Sequence, residues 1–412
     1  MNVQRVEKHI IKSTNVYYAL LDKFCFLSKN LYNHANYILR QGFINNGSVV
    51  PYGNLDKILK ADAAYPDYRS MPTAQSAQQV LRLLDKNWKS FFKSIKDWSK
   101  NKEKYTGKPR LPKYKKKDGR NILILTNQNV KLKEGVLKFP KRFEGFELKL
   151  KCCKKGCFHE FNQIRFLPRQ GYIIAEVVYS ISICEVKTDN QRYCSVDIGI
   201  DNLAAVTTNL GYRSYLINGR GLKSVNKYYN KQMAHYRKTA KQMNDMHYTK
   251  RMARITAKRN HKMDDYMHKA SRKIVNGCIN GNINTIVIGY NKDWKRDSKL
   301  SRIVNQSFTG LPTQRFIEMI QYKAQESGIN VILTEESYTS GTSFLDNEMP
   351  AKQNYDKSRR VYRGLFVSDG GNKINADINA SYQILKKVFP KAYANGIEGV
   401  VLHPVRVNAA FV

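Results

Sequence analysis

Three stretches far apart in the chain end apolar runs with carboxylates: Ser195-Val196-Asp197-Ile198-Gly199, Leu333-Thr334-Glu335-Glu336 and Asn375-Ala376-Asp377. Around Asp197, Val196 and Ile198 send their side chains to the opposite face of a strand. An ionised carboxylate buried at the end of a core strand is costly unless a cation meets it. Asp197 therefore reads as a candidate metal ligand; the alternative is that it caps the following turn. Hard oxygen donors suit Mg²⁺. Two such ions, about 3.5–4 Å apart, can hydrolyse a phosphodiester, one activating water and one neutralising the leaving oxygen. That chemistry needs acids that converge from separate elements, and Asp197, Glu335 or Glu336, and Asp377 are candidates to converge.

The elements that must position them follow from periodicity. Tyr193 to Ile198 reads as a short buried strand, followed by hairpin strands at Ala204–Thr208 and Tyr215–Ile217. Further strands are expected at Thr285–Ile288 and Ile329–Thr334, with an amphipathic helix over Thr313–Ser327 between them. A last helix opens at Asn375 and stops at Pro390. Hairpin strands followed by βα units fit an RNase H-like mixed sheet. Upstream, one helix spans Asn15–Arg40, ended by Gly42 and Asn45-Asn46-Gly47, and a second spans Thr73–Lys100. Residues 121–181 read as short strands punctuated by Gly135, Gly145 and Gly171, giving a small antiparallel barrel or sandwich.

The partner class follows from charge. The 412 residues carry 71 Lys+Arg against 33 Asp+Glu, a net charge of +38, which calls for a polyanion. The 26 tyrosines suit base stacking between basic residues. Two stretches concentrate the charge. One is Gly107-Lys108-Pro109-Arg110-Leu111-Pro112-Lys113-Tyr114-Lys115-Lys116-Lys117, which its prolines keep extended. The other is the helical run Lys223–Lys273, with a break expected near Met246-His247. Lys108, Arg110, Lys113, Lys115, Lys116, Arg237, Arg251, Arg254 and Arg259 are the candidate nucleic-acid contacts; a merely solvated face is the alternative. His235, His247, His261 and His268 read as helix-surface residues.

No apolar span or signal-peptide core stands out, so no membrane partner is expected. Seven scattered cysteines argue against a disulfide framework and fit a reducing compartment. Cys152, Cys153, Cys157 and His159 lack a second cysteine pair, and no zinc is expected there.

Ser195 to Ala204, Tyr338-Thr339-Ser340 and Asn375-Ala376-Asp377-Ile378-Asn379-Ala380 resemble the RuvC motifs of the TnpB transposon-associated nucleases, ancestors of type V CRISPR effectors. Ser28-Lys29-Asn30-Leu31-Tyr32-Asn33 and Gly107–Pro112 are similar to that family's N-terminal half. The resemblance implies an α+β multidomain protein with a helical recognition lobe, a small antiparallel β-barrel wedge and an RNase H-like (RuvC) α/β nuclease domain. On this chain those parts would be 1–14 (first wedge strand), 15–105 (recognition lobe), 106–186 (rest of the wedge) and 187–412 (nuclease). The nuclease would carry a basic helical insertion at 223–275 and a zinc-free insert at 339–372. The implied activity is RNA-guided, Mg²⁺-dependent DNA cleavage, with guide RNA and target double-stranded DNA as partners and two Mg²⁺ as cofactors. The implied setting is the prokaryotic cytoplasm, near the nucleoid. The alternative is a nuclease-dead, RNA-guided repressor of the same ancestry.

Two departures matter. The family's second acid usually follows an Ile-Val-Ile strand, and here Gly289 holds that position. Glu336 is taken as its replacement, with Glu335 second and Asp293 a weaker candidate. The implied catalytic acids are thus Asp197, Glu336 and Asp377, with Glu335 in reserve. Cysteine pairs also commonly follow Tyr-Thr-Ser in the family, whereas this chain has no cysteine after Cys278. Arg363, in the cysteine-free insert, could contact the scissile phosphate or hold the insert. Asp201 could reach the metals, with capping a turn the favoured role.

Overall fold

A computed structural model describes residues 2–154, 158–244, 248–291, 305–306, 309–393 and 403–409. The chain divides into two units, Asn2–Ser182 and Ile183–Val412.

In the first unit, β1 (Asn2–Lys12) leads into four helices, α1 (Tyr18–Asn46), α2 (Tyr52–Ala61), α3 (Asp67–Ser70) and α4 (Ala74–Lys100). Helix α1 runs through Gly42, where the sequence suggested its end. It stops at Gly47, whose φ of 66° lets its N–H reach Phe43 O. Helix α4 opens with a Thr73/Ser76 capping box. It buries Ala77, Val80, Leu81, Leu84 and Trp88 along one stripe, while Lys86, Lys89, Lys93, Lys96 and Lys100 stay exposed.

The strands after α4 are β2 (Leu123–Thr126), β3 (Lys131–Lys133), β4 (Val136–Lys138), β5 (Glu147–Lys149), β6 (Phe158–Arg169) and β7 (Tyr172–Ser182). They form an antiparallel sheet in the order β1-β7-β6-β2 and a three-stranded sheet β3-β4-β5. The barrel expected of 1–14 and 106–186 is not closed among the described residues. β1 spends its full length on β7, from Asn2↔Ser182 to Lys12↔Tyr172. The four residues of β2 pair only with β6, so β1 and β2 remain the two edges.

The second unit is built on a mixed six-stranded sheet. Its strands are β8 (Tyr193–Asp197), β9 (Asn202–Thr208), β10 (Tyr215–Asn218), β11 (Thr285–Gly289), β12 (Asn330–Thr334) and, after the short β13 (Leu365–Val367) and β14 (Lys373–Asn375) hairpin, β15 (Val405–Val407). The order is β12-β11-β8-β9-β10-β15. β8, β11 and β12 are parallel, and β9 is antiparallel to both its neighbours. Helices among the described residues include α5 (Arg220–Asn244), α6 (Lys250–Asn280), α7 (Thr313–Glu326) and α8 (Ala376–Val388). The expected break at Met246-His247 lies outside the described residues.

Strand parity sorts the core. Cys194, Val196, Ile286 and Ile288 pack with Met263, Met267 and Ile274 of α6 and Phe316 and Ile320 of α7. Tyr193 and Val287, of the opposite parity, pack with Ile384 and Leu385 of α8. Ala205 and Leu216 join Ile378 and Tyr382 of α8 through Phe344 and Phe366. Each fully buried Leu, Ile or Phe here contributes roughly 1.5–3 kcal/mol. Asp197 shares the parity of Tyr193, so the same alternation that builds this core turns its carboxylate toward α8.

Candidate active site

The carboxyl ends of three parallel strands lie side by side. Ile288 pairs with Val196, one residue before Asp197, and Gly289 pairs with Thr334, two residues before Glu336. Helix α8 lies over this end of the sheet, and Asp377 sits in its first turn. Asn375 caps that turn, its Oδ1 accepting from Asp377 N and Ile378 N at 3.1 and 3.2 Å. Thr207 and Ser381 share a hydroxyl contact of 3.0 Å that ties α8 to β9.

Gly289 explains how Glu336 reaches this end. A Cβ on Gly289 would stand 2.7 Å from Glu336 Oε1, 2.7 Å from Glu336 Cγ and 2.6 Å from Ile384 Cδ1. The missing side chain on β11 thus leaves the space that Glu336 fills from beyond β12. Asn291 fixes Glu336 twice, donating from Nδ2 to Oε2 at 3.2 Å and accepting from Glu336 N at 3.0 Å. A tight turn follows. Thr339 Oγ1 donates to Glu336 O at 2.8 Å, and Tyr338 adopts φ 68°, a conformation uncommon for an aromatic residue. Glu335 is exposed, and its carbonyl accepts from Lys387 Nζ at 2.9 Å. Asp293 lies outside the described residues.

Electrostatics tie the three acids together. Burial pushes the Asp197 carboxyl well above the usual range, and the charges of Glu336 and Asp377 push it further, with Arg360 opposing them. Burial pushes Glu336 up to about 7. Asp377 is held from both sides: Asn202 Nδ2 donates to Oδ2 at 2.7 Å, and Arg360 Nη2 lies 3.3 Å from Oδ1. Asp201 is engaged elsewhere, with Lys223 Nζ at 2.8 Å and Arg363 Nη2 at 2.9 Å. Burial works against its charge, yet the Lys223 hydrogen bond and the charges of Arg363 and Lys223 hold it below the usual carboxylate range.

Sequence reasoning missed Asn202, Asn291 and Arg360. Asn291 had a weak signal, two residues past the anomalous Gly289. Arg360 had none, since its partner is fixed only by the folding of residues 339–375.

A hard divalent cation suits these residues. Asp197 feels the charges of both Glu336 and Asp377, Arg360 is the one cation among the described residues set against them in its surroundings, and all the donors of the three acids are oxygens. Among the described residues, no three acidic, histidine or cysteine side chains already have their donor atoms drawn into a metal cage, so binding would pull the side chains inward.

The candidate nucleic-acid contacts fall into two kinds. The extended strap is gripped through its backbone by α1. Lys29 Nζ donates to Lys117 O, Asn33 brackets Lys115 N and O, and Asn36 and Arg40 donate to Pro112 O. That grip leaves Lys108, Arg110, Lys113, Lys115 and Lys116 exposed. On α5 and α6, Arg237, Arg251 and Arg254 are exposed. Arg259 is spent inside the protein, donating to Asn226 Oδ1 and Gly310 O, and burial lowers its proton affinity.

No helix among the described residues is long and apolar enough to cross a membrane.

Parts of this chain resemble known proteins. The family model OrfB_IS605, described as "Probable transposase", matches residues 176–295. The model "Cas12f1-like, TNB domain" matches residues 314–384. "TnpB-like protein ORF457" of Acidianus two-tailed virus is 22% identical over 423 residues, covering 95% of this chain and 86% of its own length. The solved mini-RNA-guided endonuclease CRISPR-Cas phi3 aligns with a TM-score of 0.43 at 9% identity, over 98% of this chain and 94% of that one. A Cas12f1–sgRNA–target DNA complex aligns with a TM-score of 0.36 at 14% identity, over 92% and 98%. The two family matches, which between them take in Asp197, Glu336 and Asp377, and the viral relative along nearly the whole length support a likeness of this chain to the TnpB family.

Proposed function

We propose that this protein is an RNA-guided DNA endonuclease whose acids Asp197, Glu336 and Asp377 hold divalent metal, most simply two Mg²⁺. The observation that carries the reading is the occupancy of the Gly289 space by Glu336, beside the strand that ends in Asp197. A protein that had lost its second acid would have no reason to leave that space open and to hold a glutamate in it from both ends through Asn291. The mixed sheet with α8 across one face supports an RNase H-like (RuvC) nuclease domain within 187–412. On this reading 15–105 is the recognition lobe and 1–14 with 106–186 the wedge.

Bound Mg²⁺ would supply a nucleophile at neutral pH and charge stabilisation of the leaving oxygen. The chain's own residues do the positioning. Asn202 and Asn291 orient Asp377 and Glu336, and the α8 N-terminus adds positive potential at Asp377. Lys108, Arg110, Lys113, Lys115, Lys116, Arg237, Arg251 and Arg254 would carry guide RNA and target DNA by their backbones, with base pairing reading the sequence. Arg363, 69% exposed at its side chain, can release Asp201 to meet a phosphate.

The test is direct. The protein is purified with its co-expressed RNA and offered a matching plasmid in Mg²⁺. Nicking or linearisation that disappears in Asp197→Ala supports the reading. Tight guide-dependent binding with no cleavage at any metal concentration would replace it with a repressor.

A further inference from the structure

Both oxygens of Asp377 are engaged by the protein itself. Oδ2 accepts from Asn202 at 2.7 Å, and Oδ1 faces the Arg360 guanidinium at 3.3 Å. The first contact is neutral and compatible with a cation on the same carboxylate. The second places a positive charge where a cation would bind.

Arg360 is delivered by a braced segment. Its neighbour Arg359 meets both Glu348 oxygens at 2.8 Å and Asp369 Oδ2 at 2.7 Å, and Arg359 O accepts Val367 N at 2.9 Å. Gly364 O accepts Ala376 N and Asn375 Nδ2, each at 3.2 Å, so the segment is pinned to the start of α8. The backbone is therefore fixed while the Arg360 side chain, 35% exposed, keeps room to swing.

We propose that Arg360 is an internal counter-ion that competes with divalent cations for Asp377, so that loading the site with metal displaces its side chain. This rests on the reading of Asp197, Glu336 and Asp377 as the cation-holding set. A guanidinium binds a carboxylate through its lone pairs, the same electrons a hard cation needs. One Asp377 oxygen cannot serve both at close range. An ion pair this exposed is weak, so the contact lowers cation affinity without abolishing it. In metal-poor conditions Arg360 then keeps a compensating charge on the acids and leaves the site unloaded.

Calorimetric titration of Mn²⁺ into the full-length, nucleic-acid-free protein tests this without reference to cleavage. Wild type, Arg360→Gln, Arg360→Lys and Asp377→Asn are compared, with Arg360→Met as a second neutral variant should the glutamine variant fail to fold. The neutral variants should bind Mn²⁺ about five-fold more tightly than wild type. Arg360→Lys should bind near wild-type affinity, and Asp377→Asn more weakly than all of them. Equal or weaker Mn²⁺ binding by the neutral variants overturns the proposal while leaving the three-acid site standing. Absence of Mn²⁺ binding in every protein, wild type included, overturns both.

Discussion

Glu336 Oε1 lies 2.7 Å from the point where a Cβ on Gly289 would stand. The two residues are 47 apart in sequence and sit on neighbouring parallel strands or their ends, so the glycine on one element and the acid beyond the other form a single feature. This exchange keeps an acid at the carboxyl end of the sheet, where α8 brings Asp377.

The glycine is therefore as necessary as the acid. Gly289→Ala forces Glu336 or Ile384 to move, an overpacking cost of about 1–3 kcal/mol. Plasmid cleavage should fall sharply, with a smaller drop in melting temperature. The paired exchange Gly289→Glu with Glu336→Gly should recover part of the cleavage that each single change removes. Additive loss in the pair would contradict the shared space.

The metal-free site should cost stability as pH rises. Glu336 is pushed from its ordinary 4.5 up to about 7, and Asp197 is raised as well. Folded protein thus holds more protons than unfolded protein between those values. The stability Glu336 contributes is fully present below 4.5 and is lost as pH rises through about 7, and the raised Asp197 adds a loss of the same sign. A bound cation takes the place of those protons. Melting with EDTA and with millimolar Mg²⁺ should show a larger Mg²⁺-induced gain at about pH 8 than at about pH 5.5. Asp197→Asn should shrink that difference. An equal gain at both pH values would argue against the carboxylate cluster as the cation site.

Asn202 and Asn291 should act through their acids. Replacing either with Ala leaves every carboxylate in place but unaimed, at a cost of about 10–100-fold in metal affinity. The Mg²⁺ concentration for half-maximal cleavage should rise, and excess Mg²⁺ should restore much of the rate. A loss that no Mg²⁺ concentration repairs would mean these side chains do something other than aim the acids.

The basic residues should separate by salt dependence. Lys113, Lys115 and Lys116 are exposed, and each replacement by Ala should reduce the salt slope of nucleic-acid binding by about 1. Arg259→Ala should leave the slope unchanged and lower the melting temperature, because its guanidinium is bonded to Asn226 and Gly310. A lower slope for Arg259→Ala would restore it to the interface.

Much of the second unit was legible because alternation and burial are local signals. Val196 and Ile198 announced the parity of Asp197, and Asn375 ahead of Asp377 announced a helix start. The anomaly at Gly289 was legible too, though only geometry shows what occupies the gap. What stayed hidden depends on partners distant in sequence. The Asn202–Asp377 bond spans 175 residues, and the Arg360 contact depends on how residues 339–375 fold back. Arg259 looked like any other arginine of a basic helix, since periodicity places it near the face but cannot show Asn226 and Gly310 taking its donors. The open sheet of the first unit was missed because strand patterns give the number of strands and not whether the edges meet. Gly42 looked like a stop, yet one glycine inside α1 costs only about 1 kcal/mol, which packing on both sides of it offsets.

Cleavage of a guide-matched plasmid by Glu336→Gln and Glu335→Gln, side by side at saturating Mg²⁺, is the most direct measurement. The expected result is a loss of about a thousandfold or more in Glu336→Gln, about 4 kcal/mol in the barrier, with Glu335→Gln near wild type. Full cleavage by Glu336→Gln, or loss in Glu335→Gln alone, would contradict the placement of the second acid.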